Sequence, residues 1–266
     1  MITLTLRESP SVPLEAETLS PDVMGALTNE QIRLLPVYLG KRQQRVDDFF
    51  AVDGEAGDEL TIRGDAARVK WIGRGMSRGR VIVDGNAGMH LGAHMKGGAI
   101  EVSGDASDWI GAEMTGGLIR VRGNAGGQVG AAYRGSLSGM SGGTIIVGGS
   151  AGLEVGMRMK RGTIVVGKPV RDFAGLQMKG GTIVLCGGAE IRTGAWMNRG
   201  TIISLAAIPL LPTFAYAATY VPGFLALYVR YLARFGLTLP DGPYRRYVGD
   251  AAVPGKGEIL VWSGAA

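Results

Sequence analysis

The sequence predicts an all-β solenoid: a right-handed parallel β-helix of about seven 19-residue coils, with small mixed N- and C-terminal capping segments. Three observations carry that expectation. A methionine-led tetrapeptide recurs as MSRG at 76–79, MKGG at 95–98, MTGG at 114–117, MSGG at 140–143, MKRG at 159–162, MKGG at 178–181 and MNRG at 197–200. The step is 19 residues except once, where seven residues inserted around Tyr133 to Gly139 make it 26. Apolar columns keep the same step. Val81, Ile100, Ile119, Ile145, Ile164, Ile183 and Ile202 form one, and Val83, Val102, Val121, Val147, Val166 and Leu185 form another two residues on. Alternation at period two with β-branched side chains is a strand signal. The third observation is 45 glycines in 266 residues, more than twice the average usage of about 7%. One glycine column runs Gly73, Gly92, Gly111, Gly130, Gly156, Gly175 and Gly194, as a corner with positive φ or a close approach between neighbouring chains requires.

Each element follows from those columns. A 19-residue coil at about 3.3 Å per residue has a perimeter of roughly 60 Å, enough for three short faces around a packed interior. Asp65, Asn86, Asp105, Asn124 and Ser150 mark a second corner, where short polar side chains stabilise turns. A leucine-rich repeat is the rival architecture, but its L-x-x-L-x-L pattern is missing. The repeats occupy 59–204, leaving an N-terminal capping segment at 1–58 and a C-terminal apolar extension at 205–266. In the first flank, Ile2 to Leu6 alternates as a strand, and Thr28 with Gln31 makes a partial capping box for a helix over 28–35. In the second, 223–235 reads as a helix ended by Gly236, and Glu258 to Trp262 as a closing strand. The strand position between the two inward columns reads Thr61, Ile82, Glu101, Arg120, then Ile146, Val165, Val184, Ile203. Four apolar side chains in a row are an aggregation hazard, so that half of the face should be covered by the extension or by another subunit.

Composition narrows the function classes. A single cysteine, Cys186, excludes a disulfide framework, a cysteine zinc site and a self-contained iron–sulfur cluster. With no charged-then-apolar leader, a cytoplasmic protein is expected. Thr201 to Val229 carries no charge, but Pro209, Pro212 and Pro222 interrupt it, so a packed or subunit-facing extension is expected rather than a membrane span. His90 and His94 are the only histidines. They flank Gly92 and need not share a face, and with Glu113 they make at most a partial ligand set, so no metal site is expected. No phosphate-loop signature and no nucleophile–base pairing stands out, so no catalytic residue is assigned. The net charge of +5 permits an acidic partner. Lys96, Lys160 and Lys179 share the column after methionine, with Arg78, Arg161 and Arg199 in the column beside it. Such residues are either a solvated corner or a cationic stripe tracking a polyanion.

The M-x-G-G-x-I-x-V coils and G-[DN]-A corners occur together with PLEAETLSPDV (13–23), LGKRQQRVDDFFAVDG (39–54) and RRYVGDAAVPGKGEILVW (245–262). In these the chain resembles the C-subunit family of formylmethanofuran dehydrogenases, and most closely its bacterial counterpart in the formyltransferase/hydrolase complex. The repeat is also similar to the C-terminal domain of glutamate synthase large subunits. The resemblance implies a noncatalytic structural subunit in tetrahydromethanopterin-linked one-carbon metabolism. Its partners would be formyltransferase and amidohydrolase-like subunits, with neither nucleic acid nor a membrane. Formyl groups would pass between tetrahydromethanopterin and a methanofuran-type carrier and leave as formate, with no cofactor bound by this chain alone. Such carriers bear glutamate-rich tails, which Lys96, Lys160 and Lys179 could track. The alternatives are the C subunit of an archaeal-type molybdenum or tungsten enzyme, or a glutamate-synthase-like accessory domain.

Overall fold

The computed structural model describes residues 1–264. It corrects the expected all-β solenoid: the described residues form a 13-stranded mixed sheet, a separate four-stranded sheet and four short helices. The N-terminal flank runs β1 (Ile2–Leu6), β2 (Leu14–Glu15), α1 (Pro21–Met24), α2 (Asn29–Arg33), β3 (Pro36–Leu39), β4 (Arg42–Arg45), α3 (Val46–Phe49) and β5 (Phe50–Gly54). Next come β6 (Glu59–Arg63), the two-residue β7 (Val69–Lys70) and β8 (Arg80–Asp84). One strand per repeat then follows, as β9 (Ala99–Val102), β10 (Leu118–Val121), β11 (Ser141–Val147), β12 (Arg161–Val166), β13 (Lys179–Leu185) and β14 (Arg199–Ser204). The chain closes with β15 (Ala215–Tyr220), α4 (Leu225–Ala233), β16 (Tyr244–Gly249) and β17 (Gly257–Trp262).

The large sheet is ordered β15-β16-β17-β14-β13-β12-β11-β10-β9-β8-β6-β1-β5. Its centre is parallel and in register, Val81 facing Ile100, then Ile119, Ile145, Ile164, Ile183 and Ile202. Its ends are antiparallel, β1 with β5 at one side and β15 with β16 and β17 at the other. Beyond this strand, pairing between repeats over 66–125 and 151–189 falls to single-residue bridges: Ala66 to Ala87, Ala106 and Ala125, and Ala151 to Val170 and Ala189. The physical reason is backbone conformation. Trp71, His90, Trp109, Gln128, Glu154, Phe173 and Arg192 all hold φ between 58° and 67°, and the glycine two residues after each is also left-handed. Two left-handed residues in three cannot extend into a strand.

The methionine column explains the M-x-G-G signature. Met76, Met95, Met114, Met140, Met159, Met178 and Met197 are fully buried. The terminal methyl lies beneath a glycine of the following rung. A Cβ on Gly98 would fall 2.5 Å from Met76 Cε, and one on Gly143 would fall 2.7 Å from Met114 Cε. Both glycines also have positive φ, at 78° and 86°. Asx side chains tie the second corner, Asn86 Oδ1 accepting from Asp105 N at 2.8 Å and Asp105 Oδ1 from Asn124 N at 2.6 Å.

The flanks form as expected at several points. Thr28 caps α2 through a full capping box with Gln31, and Gly236 turns left-handed after α4. The C-terminal extension is what covers the apolar half-face. Ile146, Val165, Val184 and Ile203 pack against Leu225, Leu232, Leu239, Tyr244 and Leu260. Tyr228 and Tyr231 on α4 then reach two threonines of the sheet, at 2.7 Å from Thr182 Oγ1 and 2.5 Å from Thr144 Oγ1. The uncharged run from Thr201 to Val229 is spent on the end of β14, all of β15 and the start of α4. Among the described residues no helix is long and apolar enough to cross a membrane.

Two kinds of substitution test this packing. Gly143→Ala meets both the Met114 methyl and the Gly117 carbonyl and should lose about 2–4 kcal/mol by urea unfolding. Gly135→Ala, left-handed at 89° but with open space around it, should lose only about 1–2 kcal/mol; equal losses would show that the methyl–glycine contact contributes nothing. Val184→Asp puts a carboxylate where no surface is exposed and should cost more than about 3 kcal/mol, whereas a cost under about 1 kcal/mol would mean that α4 does not seal this face.

Candidate functional site: an aromatic corner and a cationic ladder

The left-handed corner residues project side chains that meet from rung to rung. Trp71 stacks on His90 with ring centroids 4.1 Å apart and planes 10° from parallel, and His90 lies 6.4 Å from Trp109. Further along, Gln128 Nε2 donates to Glu154 Oε2 at 2.9 Å, and the Arg192 guanidinium sits 4.1 Å over the Phe173 ring. A left-handed non-glycine residue costs roughly 1–2 kcal/mol, and these contacts between rungs help to offset it.

The seven-residue insertion delivers Tyr133 onto this corner. Its ring stacks 4.9 Å from Trp109 and lies 5.6 Å from both His90 and His94. The Tyr133 hydroxyl is 2.9 Å from His90 Nδ1, and its backbone N–H donates to Glu113 Oε1 at 3.0 Å. Glu113 Oε2 also stands 3.6 Å from His94 Nδ1. The insertion therefore brings both histidines and Glu113 around one tyrosine. Burial, with some repulsion from Lys70, pushes His90 down to about 4. Burial, reinforced by the Glu113 carboxylate, pushes the Tyr133 hydroxyl well above its ordinary range. These shifts favour neutral His90 and protonated Tyr133 at neutral pH. Although His90, His94 and Glu113 gather around Tyr133, among the described residues no group of three His, Cys, Asp or Glu side chains is placed to hold a metal ion. Cys186 is half-buried, its thiol pushed up by burial.

On the second ladder, Lys96, Lys160 and Lys179 do lie in one stacked column. Their backbone N–H groups donate to Met76, Met140 and Met159 carbonyls at 2.7–2.8 Å, and Thr115 and Ser141 fill the rungs between by the same bond to Met95 and Met114. Lys96 and Lys160 are exposed, while Lys179 is half-buried with Nζ donating to the Leu137 carbonyl of the insertion at 2.6 Å. Arg161 and Arg199 flank Lys160 and Lys179 around one concavity, from which Lys96 is absent.

Trp71 and Trp109 stand 19 residues either side of His90, so the spacing that builds this stack is present in the sequence, although the histidines alone draw the eye there. Tyr133 is not readable in the same way, because an insertion has no column to place it in.

Comparison with known proteins decides the family. Over 97% of its length, and 98% of the other's, the chain superposes with a TM-score of 0.92 and 34% identity on a chain of the formyltransferase/hydrolase complex (FhcABCD) from Methylorubrum extorquens, solved in complex with methylofuran. It is 39% identical over 97 residues to the C subunit of the tungsten-containing formylmethanofuran dehydrogenase 2 of Methanothermobacter thermautotrophicus. It is also 44% identical over 83 residues to the C subunit of the molybdenum-containing formylmethanofuran dehydrogenase 1 of Methanothermobacter marburgensis. The chain belongs to the C-subunit family of formylmethanofuran dehydrogenases. The GXGXG motif family model also matches, over residues 61–207, which is the repeat region and is consistent with the similarity to glutamate synthase expected from the repeat. The matches to these two archaeal relatives span 35% and 30% of this chain, and 36% and 21% of theirs.

The aromatic corner makes a pH prediction. The folded state holds His90 down to about 4 from an ordinary 6.5, so folding resists its protonation. The stability it secures is complete above about pH 6.5 and declines as pH falls toward 4. Thermal unfolding of the His90→Asn variant should therefore show a shallower loss of Tm between pH 7 and pH 4 than the unmodified chain. Parallel curves would exclude His90 as a contributor.

Proposed function

We propose that this chain is a noncatalytic structural subunit of a formyltransferase/hydrolase-type complex. In this reading the complex passes formyl groups between tetrahydromethanopterin and a methanofuran-type carrier and releases formate. The chemistry resides in formyltransferase and amidohydrolase-like partner subunits. The observation that carries this reading is the end-to-end likeness to a chain of the FhcABCD complex, flanks included. The titration of the aromatic corner supports it, since His90 and Tyr133 are both held away from the range useful to a general acid or base. A second reading, the C subunit of a molybdenum or tungsten dehydrogenase, is favoured by the archaeal relatives. It ranks below the first because those matches cover about a third of the chain and the FhcABCD match covers 97%.

Lys96, Lys160 and Lys179 belong to the same reading, as the contact for the glutamate-rich tail of the carrier. Three contacts of about 0.2–1 kcal/mol each would act together.

Affinity purification of the tagged chain from its source should recover a formyltransferase and an amidohydrolase-like protein. Recovery of a flavin- or iron–sulfur-containing synthase instead would overturn the assignment. The purified chain alone should show no formyl transfer or hydrolysis, and turnover that survives removal of every other subunit would refute the noncatalytic role. With Lys96, Lys160 and Lys179 changed together to Gln, the assembled complex should show a raised KM for long-tailed carriers and little change for short-tailed ones. An unchanged KM at low salt sinks the carrier-tail contact.

A further inference from the structure

Strand β15 ends the 13-stranded sheet and pairs only with β16. Outside that pairing, residues 215–220 make no backbone–backbone hydrogen bond among the described residues. One edge of β15 therefore presents its N–H and C=O groups as a template for another strand. Every residue from Ala215 to Thr219 is exposed, whereas a strand with one covered face would alternate. Tyr216 leans on Tyr247, with ring centroids 5.9 Å apart, yet keeps 58% of its surface exposed. The chain leaving the strand exposes Val221 at 59% and Leu227 at 68%.

The other outer strands of the two sheets are guarded. Asp53 stands on β5, Arg42 and Arg45 on β4, and Lys70 on β7. Charge on an outer strand keeps a second strand from adding to it. Strand β15 has no such guard, since it lies within the uncharged stretch from Thr201 to Val229. Its register shift between Tyr216 and Ala218 bends the strand but leaves its outer groups free. This neutrality says what kind of strand fits. An edge that receives a different chain gains rate and specificity from charges matched across the contact. An edge that receives its own copy does not, because antiparallel pairing about a two-fold axis brings like charges near one another. Arg245 and Arg246 on the neighbouring β16 would stay three strand spacings from their copies. That is roughly 14 Å, beyond a Debye length of about 8 Å. Such pairing uses the unguarded edge of each copy, so the assembly closes as a dimer and does not grow.

We propose that β15 is the contact through which two copies of this chain join, antiparallel and edge to edge, into one continuous sheet. In the assembled complex the same contact links two complexes through this subunit. Six residues of strand are roughly 20 Å long, so the interface is small. For the isolated chain a reversible dimer with a Kd of about 1–100 µM is expected. The inference stands on the sheet edge and is independent of what the complex catalyses.

Sedimentation velocity of the full chain, from about 1 to about 200 µM, tests the contact. The sedimentation coefficient should rise from monomer toward dimer, and raising the salt from about 0.15 M to about 0.5 M should move the Kd by less than about twofold. Ala217→Lys and Ala217→Glu, both at an exposed position, should each weaken the dimer about tenfold or more. Their equimolar mixture should associate within about threefold of the unmodified chain, because the two copies then meet with opposite charges. Gln43→Lys on the guarded β4 should leave the Kd within about twofold. Unchanged thermal unfolding of the Ala217 variants separates loss of the contact from loss of the fold. A chain still monomeric at about 200 µM, a dimer that survives Ala217→Lys, or a mixture that stays monomeric would overturn the proposal. So would hydrogen-exchange protection of residues 215–220 that appears only when another subunit is added, which would assign the edge to that subunit.

Discussion

The contact on which the rest of the structure depends is a methionine methyl lying beneath a glycine of the next rung. The buried methionine reaches under a residue that has no side chain and a left-handed backbone, as Met76 does under Gly98 and Met114 under Gly143. A flexible thioether fills that gap without demanding one rotamer, and the glycine admits it without strain. Because the pairing joins one repeat to the next, it sets the rung-to-rung register. With the register set, Ile faces Ile and Val faces Val across the parallel strands, and the residues after methionine stack into the ladder that carries the lysines.

That same register exports order to the surface. The left-handed corner residues are not glycine, so each one places a side chain at a fixed height beside its neighbours. Trp71, His90 and Trp109 make a stack from this, and the insertion at 133–139 exploits it by adding Tyr133 between the rungs. The packing then governs the chemistry. Burial holds His90 neutral and Tyr133 protonated, which suits a corner that anchors an inserted loop and does not suit proton transfer.

The C-terminal extension answers a different constraint. A parallel sheet is stable when both faces are covered, and half of the outward face is apolar from Ile146 to Ile203. Helix α4 closes it with leucines and with two tyrosines whose hydroxyls bond to Thr144 and Thr182. The other half, with Ile82, Glu101 and Arg120, remains open, and Glu101 pairs there with Arg80 at 2.9 Å. The sheet edge is left to β15, whose residues are largely exposed, and Tyr216, Val221 and Leu227 nearby expose more than half of their surface.

Periodic information was legible in the sequence because a stacked repeat writes every inward position several times over. The strands, their parallel register, the recurring methionine column, the capping box at Thr28 and the need for a cover over Val165 and Val184 were all readable from spacing and side-chain type. The extent of strand was not. An all-β solenoid was expected because glycine corners and β-branched columns imply extended segments between them. Only the backbone showed Trp71, His90 and their counterparts left-handed, which reduces the second face to single bridges such as Ala87 to Ala106. The site divides in the same way. The column of Lys96, Lys160 and Lys179 could be counted along the chain, but which cations share a concavity depends on how far side chains reach and on what closes the end of the sheet. Lys256 joins the line through Asn198, 58 residues earlier in the chain, and Tyr133 reaches His90 from an insertion that obeys no period. Both depend on contacts between segments with no sequence relation to one another, and such contacts exist only once the chain has folded.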